Sequence, residues 1–248
     1  MLKVRVIPIL TFNGLSLVKT KQFKLSRTVG NPIQSARVFN SRNVDELVFI
    51  DIMASKMKRK INLNLVEKVI EECFMPVTIG GGISSFEDIS NLLKIGADKV
   101  LIKTKALNDI NFIKDAVNYF GSQCISISVD VQSYKKKYFI QGSKNDNLVM
   151  EDFIYEMNKC DVGEYVINSV SHDGCMKGYD IKLLEYSSLL TQKPIIAVGG
   201  AGNPDHFIQL INSNFYGAIG ASSIFHFTQY TPNDIKNLMK KNNIQVRV

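Results

Sequence analysis

Short apolar segments alternate with longer amphipathic segments along the whole chain. The apolar segments are nearly continuous and rich in β-branched residues, which is typical of strands buried on both faces. The predicted strands are Val4–Leu10, Glu46–Ile52, Pro76–Gly80, Lys99–Lys103, Cys124–Asp130, Glu164–Asn168, Pro194–Val198 and Gly217–Gly220. Apolar residues at i, i+3, i+4 and i+7 predict helices between them. Eight strand–helix units in 248 residues predict an α/β fold of the (β/α)8 TIM barrel type, with a doubly wound open sheet as the alternative.

The sequence repeats itself at about half its length. An offset of 118 residues joins three pairs: Pro76–Gly82 with Pro194–Gly200, Glu46 with Glu164, and Thr104 with Ser222. A period of this size predicts a single domain, residues 1–248, built from two half-barrels of about 1–120 and 121–248. Near the start, Ile7–Thr11 aligns with Ser126–Asp130 at an offset of 119. This alignment sets Thr11 opposite Asp130, where a site with paired carboxylates would need two acids.

Two connections are longer than a barrel requires. The segment Phe12–Gly30 is polar and basic, and Gly30-Asn31-Pro32 predicts a turn followed by a helix start. The segment Val131–Leu148 contains Tyr138-Phe139-Ile140 between lysines and glycine, which indicates a small β-hairpin. Both follow strands at the end where substrates bind in such barrels, so we expect loops that close over a ligand; the alternative is that they are insertions without a functional role.

Composition limits the classes of function. The hydrophobic content of 45% supports a buried core, and we find no signal peptide and no apolar run of membrane-spanning length, so we expect a cytoplasmic protein that does not bind membranes. The net charge of +7 is spread over several loops rather than along one helix face, so no nucleic-acid partner is expected. The four cysteines and three histidines lack ligand spacing, so we predict no metal site and no cofactor.

Glycine loops follow two of the predicted strands. Gly80-Gly81-Gly82 follows the third strand, and Gly199-Gly200-Ala201-Gly202 follows the seventh. Without Cβ atoms, backbone N–H groups can approach an anion closely. Each loop has a neighbour with a hydroxyl after the next strand, Lys103-Thr104 and Ala221-Ser222. The pairs predict two phosphate sites, and hence a small-molecule substrate with a phosphate at each end; the alternative is that the glycines only form turns.

Three acids end strands or follow them. Asp130 ends an apolar strand, where a carboxylate is costly without a partner or a role, so we predict that it is a general acid or base. Asp51 and Asp173, the latter beside Gly174, either orient a substrate or cap turns.

Four charges lie where strands begin. Arg5 precedes the first strand, and Glu46, Lys99 and Glu164 open the second, fourth and sixth. Strand alternation puts Arg5 on one face with Ile7, Ile9 and Thr11, and Lys99 on one face with Leu101 and Lys103. Two cations and two anions can thus ring the bottom of the barrel, paired with one another. Taken alone, this pattern also fits ordinary salt bridges at the rim.

Several motifs together resemble the HisF family, the cyclase subunits of imidazole glycerol phosphate synthase. They are Asp45–Ile52, Gly80–Ile83, Gly96–Val100, Phe120–Gln123, Asp173-Gly174, Gly178–Asp180, Gly199–Gly202 and Ser223–Phe227. The resemblance covers nearly the whole chain.

The resemblance implies a barrel that docks a HisH-like glutaminase as a heterodimer on its amino-terminal face. Ammonia then passes a charged gate, which matches Arg5, Glu46, Lys99 and Glu164, and crosses the barrel. Asp98 and Gln123 match positions near the partner face and the tunnel. In the family, ammonia attacks a bisphosphorylated ribulosyl-formimino substrate to give imidazole glycerol phosphate and an aminoimidazole carboxamide ribotide.

Departures from the family pattern fall at the opposite end of the barrel. The family uses two aspartates, and Thr11 replaces the first, while Asp130 matches the second. A threonine hydroxyl cannot replace a carboxylate in proton transfer near neutral pH. Lys103 replaces an asparagine, Asn168 a threonine and Val198 a serine. Lys19 is retained.

This pattern is similar to a divergent branch of the family. Such proteins, with their own glutaminase, are associated with amidination of nucleotide-activated sugars in surface polysaccharide or flagellin glycan synthesis, where a separate ATP-dependent sugar amidotransferase is the acceptor of ammonia. Two alternatives stay open: a working cyclase of histidine biosynthesis in which another group compensates for Thr11, and a non-catalytic scaffold that activates the glutaminase.

Overall fold

The computed structural model describes residues 3–135, 137–143 and 148–247, with the backbone alone for 25 and 26. The strands of this part of the chain are β1 Val6–Phe12, β2 Leu17–Lys21, β3 Lys24–Gly30, β4 Leu47–Asp51, β5 Val77–Gly80, β6 Lys99–Ile102, β7 Ile125–Tyr134, β8 Lys137–Ile140, β9 Glu164–Ser169, β10 Ile195–Val198 and β11 Ala218–Ala221. The helices are α1 Pro32–Ser41, α2 Leu63–Ile70, α3 Phe86–Lys94, α4 Thr104–Asn108, α5 Ile110–Phe120, α6 Met150–Lys159, α7 Ile181–Leu190, α8 Asp205–Ile211, α9 Ser223–Phe227 and α10 Pro232–Lys241, with a 3₁₀ turn at Ser122–Cys124.

Eight of these strands form a closed parallel barrel. They follow one another around it in the order β1, β4, β5, β6, β7, β9, β10 and β11, and β11 pairs with β1 to close it. The prediction of a (β/α)8 barrel is confirmed, and the open-sheet alternative is wrong. No helix among the described residues combines the length and the apolar character needed to cross a bilayer.

The strand boundaries differ from the prediction by at most four residues, and several coincide with it. The first strand runs from Val6 to Phe12 rather than from Val4 to Leu10, because its edge pairs with β4 as far as Asp51. Cys124 belongs to the 3₁₀ turn, and β7 continues beyond Asp130 to Tyr134. This extension occurs because β7 also pairs with β8.

Both long connections contain antiparallel hairpins. The hairpin predicted in Val131–Leu148 is confirmed, with Tyr134 opposite Lys137, although the connection also includes residues outside the described part. The segment Phe12–Gly30 folds as β2 and β3, which sequence patterning treated as a loop. The predicted helix start is present, since the Asn31 side chain accepts hydrogen bonds from the first turn of α1.

Apolar residues form two separate clusters because inner and outer side chains alternate along each strand. The larger cluster lies between the strands and the helices. The smaller one fills the barrel interior and comprises Ile7, Ile9, Val48, Leu101, Val166, Ile196 and Ala218. The strand register agrees, since Val48 lies beside Ile9, and Ile196 beside Val166 and Ala218.

The elements repeat at the offset seen in the sequence. Strand β5, Val77–Gly80, and strand β10, Ile195–Val198, have equal lengths and lie 118 residues apart. Helices α2 and α7 also begin 118 residues apart, at Leu63 and Ile181. The division of the domain near residue 120 stays a prediction.

Candidate functional site: a charged base and a polar mouth on one barrel

The four charges predicted at the base of the barrel are in mutual contact. Arg5 donates to Glu46 at 2.5 Å and lies 3.7 Å from Glu164. Lys99 Nζ lies 3.2 Å from Glu46 and 2.9 Å from Glu164. Each cation thus touches both carboxylates, and the set forms a closed ring that we call the charge ring. The carboxylate side chains are only 6% exposed and the cations 20%.

Above the charge ring, the interior changes from charged to apolar with a polar strip on one side. Ser126 is fully buried and donates to Glu164 Oε1 at 3.0 Å. The strand register places Thr78 beside Val48, and Ser128 beside Val166, so both hydroxyls share the inner face with the apolar cluster. The interior between the two ends is therefore lined by aliphatic groups and neutral hydroxyls.

At the carboxyl ends of the strands a cavity of about 390 Å³ opens, which we call the mouth. Every residue predicted for catalysis or substrate binding lines it: Thr11, Lys19, Asp51, Gly81, Gly82, Lys103, Thr104, Asp130, Asn168, Asp173, Gly174, Gly199, Gly200, Ala221 and Ser222. Their chemical roles stay predictions.

Asp130 is bound on both oxygens. Lys103 Nζ lies 2.5 Å from its Oδ2, and Asn168 Nδ2 donates to its Oδ1 at 3.2 Å. The pairing follows from the fold, because β6 and β7 are neighbours and Lys103 directly follows β6. A carboxylate engaged in this way has fewer free lone pairs with which to accept a proton from a substrate. The amide oxygen Oδ1 of Asn168 is buried and has no partner among the described residues.

Thr11 is also engaged, with a backbone group. Its hydroxyl donates to the carbonyl oxygen of Val18 in β2, so the side chain supports the first hairpin over the mouth. The position opposite Asp130 therefore contributes a hydrogen bond to the fold rather than a second acid.

Asp51 is held by Arg59, which sequence reasoning missed. The guanidinium forms two hydrogen bonds to the carboxylate, of 2.6 and 2.9 Å, and Asp51 also accepts from the backbone N–H groups of Met53 and Ala54. The Asp51 side chain is fully buried. Of the two roles predicted for Asp51, the structure shows the turn cap. Nothing in the sequence pattern identified Arg59, because it lies in a segment without periodicity.

Lys19, Asp173 and His226 form an electrostatic group at the other side of the mouth. Burial lowers the pKa of Lys19, and the nearby Asp173 partly opposes this. Burial likewise raises the pKa of Asp173, and Lys19 opposes that shift. Burial, assisted by the charge of Lys19, lowers the pKa of His226 to about 4. Lys19 is thus a buried amine in the cavity wall.

The first hairpin is docked onto the loop after β9. Thr20 Oγ1 donates to Asp173 Oδ2 at 2.9 Å, and the backbone N–H of Gln22 donates to the carbonyl oxygen of Asp173 at 2.8 Å. Gly174 leaves room for this contact, since a Cβ there would overlap with the Thr20 carbonyl oxygen. The hairpin therefore covers part of the mouth.

Both glycine loops need glycine because of their own backbone packing, which fits the turn alternative, and anion binding by them stays a prediction. Gly82 and Gly200 have φ values of +71° and +110°, which side chains rarely adopt. A Cβ at Gly82 would approach the Arg59 carbonyl oxygen to 2.8 Å, and a Cβ at Gly200 would overlap with the Gly178 carbonyl oxygen. The neighbouring hydroxyls differ: Thr104 is exposed, whereas Ser222 is buried and donates to the carbonyl oxygen of Ile9 at 2.5 Å.

The two residues predicted for the partner face lie where strands begin. Asp98 immediately precedes β6 and is exposed, and its Oδ2 accepts from the Val77 N–H at 2.8 Å. Gln123 lies in the 3₁₀ turn before β7 and is exposed. Both are at the same end of the barrel as the charge ring.

Comparison with known proteins agrees with this arrangement. The family model described as histidine biosynthesis protein matches residues 5–231. A Campylobacter jejuni protein provisionally named imidazole glycerol phosphate synthase subunit hisF2 is 40% identical over the full length of both chains. The imidazole glycerol phosphate synthase subunit HisF of Staphylococcus saprophyticus is 39% identical, also over both full lengths. That of an Exiguobacterium strain is 36% identical over the whole of this chain and 97% of the relative. The chain therefore belongs to the HisF family of imidazole glycerol phosphate synthase subunits.

Proposed function

We propose that this HisF-family barrel accepts ammonia from a HisH-like glutaminase at its base and releases it at the mouth for the amidination of a nucleotide-activated sugar. The observation that carries the proposal is the contrast between the two ends. The charge ring is complete, whereas at the mouth Thr11 stands where an acid is needed and Lys103 binds Asp130.

The interior supports transfer of neutral ammonia rather than ammonium. An ammonium ion would lose its hydration among Ile9, Val48 and Val166, and no carboxylate of the inner cluster compensates that cost. Neutral ammonia can exchange hydrogen bonds with Ser126 and Ser128 along the wall. Each cation of the charge ring contacts two carboxylates. A cation could therefore release one carboxylate and keep the other while ammonia passes through the ring.

The altered mouth fits a role as an ammonia source. A separate ATP-dependent amidotransferase that activates its own sugar would need ammonia but no acid–base pair from this barrel. The loss of one general acid or base costs about 10² to 10⁴ in rate, which a biosynthetic cyclase tolerates poorly. A barrel that delivers ammonia without performing the acid–base chemistry has no such constraint on Thr11 or Lys103.

One specific observation favours a cyclase of histidine biosynthesis as the second candidate. Lys19, Asp130 and both glycine loops still line a single cavity, as a substrate with two phosphates would require. The close full-length relatives named as HisF subunits agree with it. The two candidates differ in one respect, which is whether the mouth itself performs the ring closure.

Complementation separates these candidates. The gene is expressed in a histidine auxotroph that lacks its own cyclase, with the Staphylococcus saprophyticus subunit as positive control. We expect growth with the control and none with this chain. Growth at a comparable rate would contradict the sugar-amidination role and establish the cyclase.

Reconstitution tests the ammonia transfer itself. The chain is combined with a HisH-like glutaminase and [amide-¹⁵N]glutamine, and both complex formation and glutamate release are measured. We expect a one-to-one complex with stimulated glutaminase activity, and an amidotransferase that copurifies with the pair should yield ¹⁵N-labelled amidine. Stimulation without transfer of ¹⁵N to any acceptor that copurifies would instead indicate a scaffold. A failure to form the complex would contradict the entire proposal.

A further inference from the structure

A second cavity, of about 380 Å³, lies beside the mouth on the side of the first glycine loop. It shares four lining residues with the mouth, Ser55, Gly82, Ile83 and Thr104, so the two spaces are adjacent and have that loop as a common wall. The rest of its lining is Lys58, Arg59, Lys60, Ser84, Lys105 and Asn108. We call this space the basic groove.

Among the residues that the structure describes, four cations and no carboxylate line the basic groove. The acids that neutralise three of the cations lie outside the lining: Asp51 pairs with Arg59, Asp88 with Lys60 at 2.8 Å, and Asp109 with Lys105 at 2.9 Å. Lys58 forms no ion pair with any described residue. The cation side chains are 29 to 64% exposed, whereas Asp51 and Asp88 are buried, so an anion in the groove would be a second partner for cations that keep their carboxylates. Only the Lys105–Asp109 pair is partly exposed on both sides and weak enough for an anion to share its cation at small cost. Guanidinium and ammonium groups also form the strong charge-assisted bonds that phosphate oxygens accept.

The second half of the chain provides an internal comparison. The loops β4–α2 and β9–α7 have matching lengths, so the offset of 118 relates them residue by residue. At this offset the basic residues correspond as follows: Lys56 to Gly174, Lys58 to Met176, Arg59 to Lys177, Lys60 to Gly178, Lys103 to Ala221, and Lys105 to Ser223. Of the four cations that line the groove, Lys58, Lys60 and Lys105 have neutral counterparts, as do Lys56 and Lys103, which line the mouth. The basic groove is therefore a property of one half and not of the repeat.

The hydroxyls beside the two glycine loops also make the first half of the chain the better anion site. Thr104 is exposed at the edge shared by the mouth and the groove, and its hydroxyl forms no hydrogen bond with a described residue. Its counterpart Ser222 is buried and bonded to Ile9. The first half thus offers both charge and a hydroxyl to an anion, whereas the second half offers much less of either.

We propose that the basic groove binds the outer phosphate of a diphosphate ester whose inner phosphate lies against Gly81, Gly82 and Thr104. The neutral group on the inner phosphate would point toward Val198 and Ala221 on the opposite wall of the mouth. In a sugar ester of a nucleoside diphosphate the two phosphates lie between the nucleoside and the sugar, so the sugar would occupy the mouth and the nucleoside would extend outward from the basic groove. The inference deepens the proposed function, because it rests on a nucleotide-activated substrate reaching the mouth, but its test requires neither glutaminase nor ammonia.

Calorimetric titration of the whole chain with inorganic phosphate, pyrophosphate and uridine diphosphate tests the site. We expect pyrophosphate and uridine diphosphate to bind at least about tenfold more tightly than phosphate, in a salt-dependent manner. The double variant Lys58→Ala/Lys105→Ala should remove that preference and leave phosphate binding nearly unchanged. The matched control, Lys177→Ala/Lys182→Ala in the second half, should bind all three probes like the parent chain. Thermal melting verifies that both variants are folded.

Three outcomes would overturn the inference. If pyrophosphate binds no more tightly than phosphate, there is no outer phosphate site. If both double variants lose the same amount of pyrophosphate affinity, the affinity reflects the general positive charge of the chain and not this groove. Binding of pyrophosphate but not of uridine diphosphate excludes the ester. Failure here, with glutaminase stimulation and ¹⁵N transfer intact, would reject the groove as a diphosphate site and leave the ammonia-transfer role standing.

Discussion

The ammonium group of Lys103 lies 2.5 Å from the carboxylate of Asp130, and this contact joins two adjacent strands at the centre of the mouth. A lysine in this place does more than remove an asparagine expected from the family pattern. It places an ammonium group against the one acid that the site retains, so the change at Thr11 and the change at Lys103 act on the same chemistry. Restoring one of them without the other should not restore an acid–base pair.

We predict that Thr11→Asp alone gives little cyclase activity, whereas Thr11→Asp/Lys103→Asn gives a gain of about 10² or more. In the double variant Asp130 is released and a second carboxylate faces it across the barrel. Conversion of the bisphosphorylated ribulosyl-formimino substrate with ammonium salts measures the rate directly. Equal rates in the single and double variants would show that Lys103 does not obstruct Asp130.

The stability of the same variants provides a control. In Thr11→Asp a carboxylate replaces a hydroxyl that donates to the Val18 carbonyl, so two acceptors would face each other. We expect a loss of about 1–3 kcal/mol in the free energy of unfolding, the usual cost of an unsatisfied buried group. Thr11→Val, which removes the hydrogen bond without adding charge, distinguishes repulsion from simple loss of the bond.

The charge ring predicts a coupled effect on stability and on ammonia use. In Lys99→Met, Glu46 and Glu164 keep only Arg5 between them, although both carboxylates are almost fully buried. We expect the free energy of unfolding, measured with urea, to fall by about 2 kcal/mol, less than for a fully buried pair because Lys99 is partly exposed. We also expect more of the ammonia from glutamine to appear in bulk solvent, measured by a coupled glutamate dehydrogenase assay.

A matched control is available one helix away. Lys94 is exposed at the end of α3, so Lys94→Met removes the same charge without touching the ring. It should leave both unfolding and ammonia release unchanged. Equal leakage in the two variants would indicate that the ring does not direct ammonia.

The barrel and the charge ring were predictable from sequence because both depend on short-range rules. Buried strands are almost continuously apolar, and alternation along each strand fixes the side to which Lys99 and Glu164 point. The first hairpin was not predictable in this way. Strands β2 and β3 are basic and partly exposed, so they lack the hydrophobic signal of the barrel strands.

The hydrogen bonds and ion pairs between side chains in the mouth could not be predicted from the sequence. They depend on the length and direction of individual side chains, about which the hydrophobic periodicity carries no information. Sequence placed Lys103 and Asp130 at the same end of the barrel but assigned them to separate tasks, a phosphate site and proton transfer. Their contact follows from the adjacency of β6 and β7. Arg59 is similar: it follows Asp51 by eight positions in irregular chain, and only the turn between them brings the guanidinium to the carboxylate.

A buried ion pair joins the last helix to the first strand. Lys236 on α10 lies 2.8 Å from Asp45, whose other oxygen accepts the Val6 N–H, and both side chains are at most 5% exposed. Breaking a pair of this kind leaves a buried charge, which costs about 3–5 kcal/mol. We therefore expect Lys236→Met to lower the urea midpoint strongly and the exposed Lys240→Met to leave it nearly unchanged. Near-equal midpoints would show that water reaches Asp45.

Stability should depend on pH through His226. Burial lowers its pKa to about 4 in the folded chain, while an unfolded histidine titrates near ~6.5. Above pH 6.5 His226 is neutral in both the folded and the unfolded chain, so it has no effect on the free energy of unfolding. As the pH falls from 6.5 to 4, His226 binds a proton in the unfolded chain but stays neutral in the folded chain. The free energy of unfolding therefore decreases across this window. Below pH 4 both states are protonated at His226, so this group causes no further change. We expect a loss of about 2 kcal/mol, after allowance for the partial exposure of the ring.

Urea unfolding of the parent chain and of His226→Gln at pH 7 and pH 4.5 measures this loss, because carboxylates titrate alike in both proteins and cancel in the comparison. Identical pH dependence in the two proteins would show that His226 is solvated, and Lys19→Met should shrink the difference by removing the charge that assists the shift.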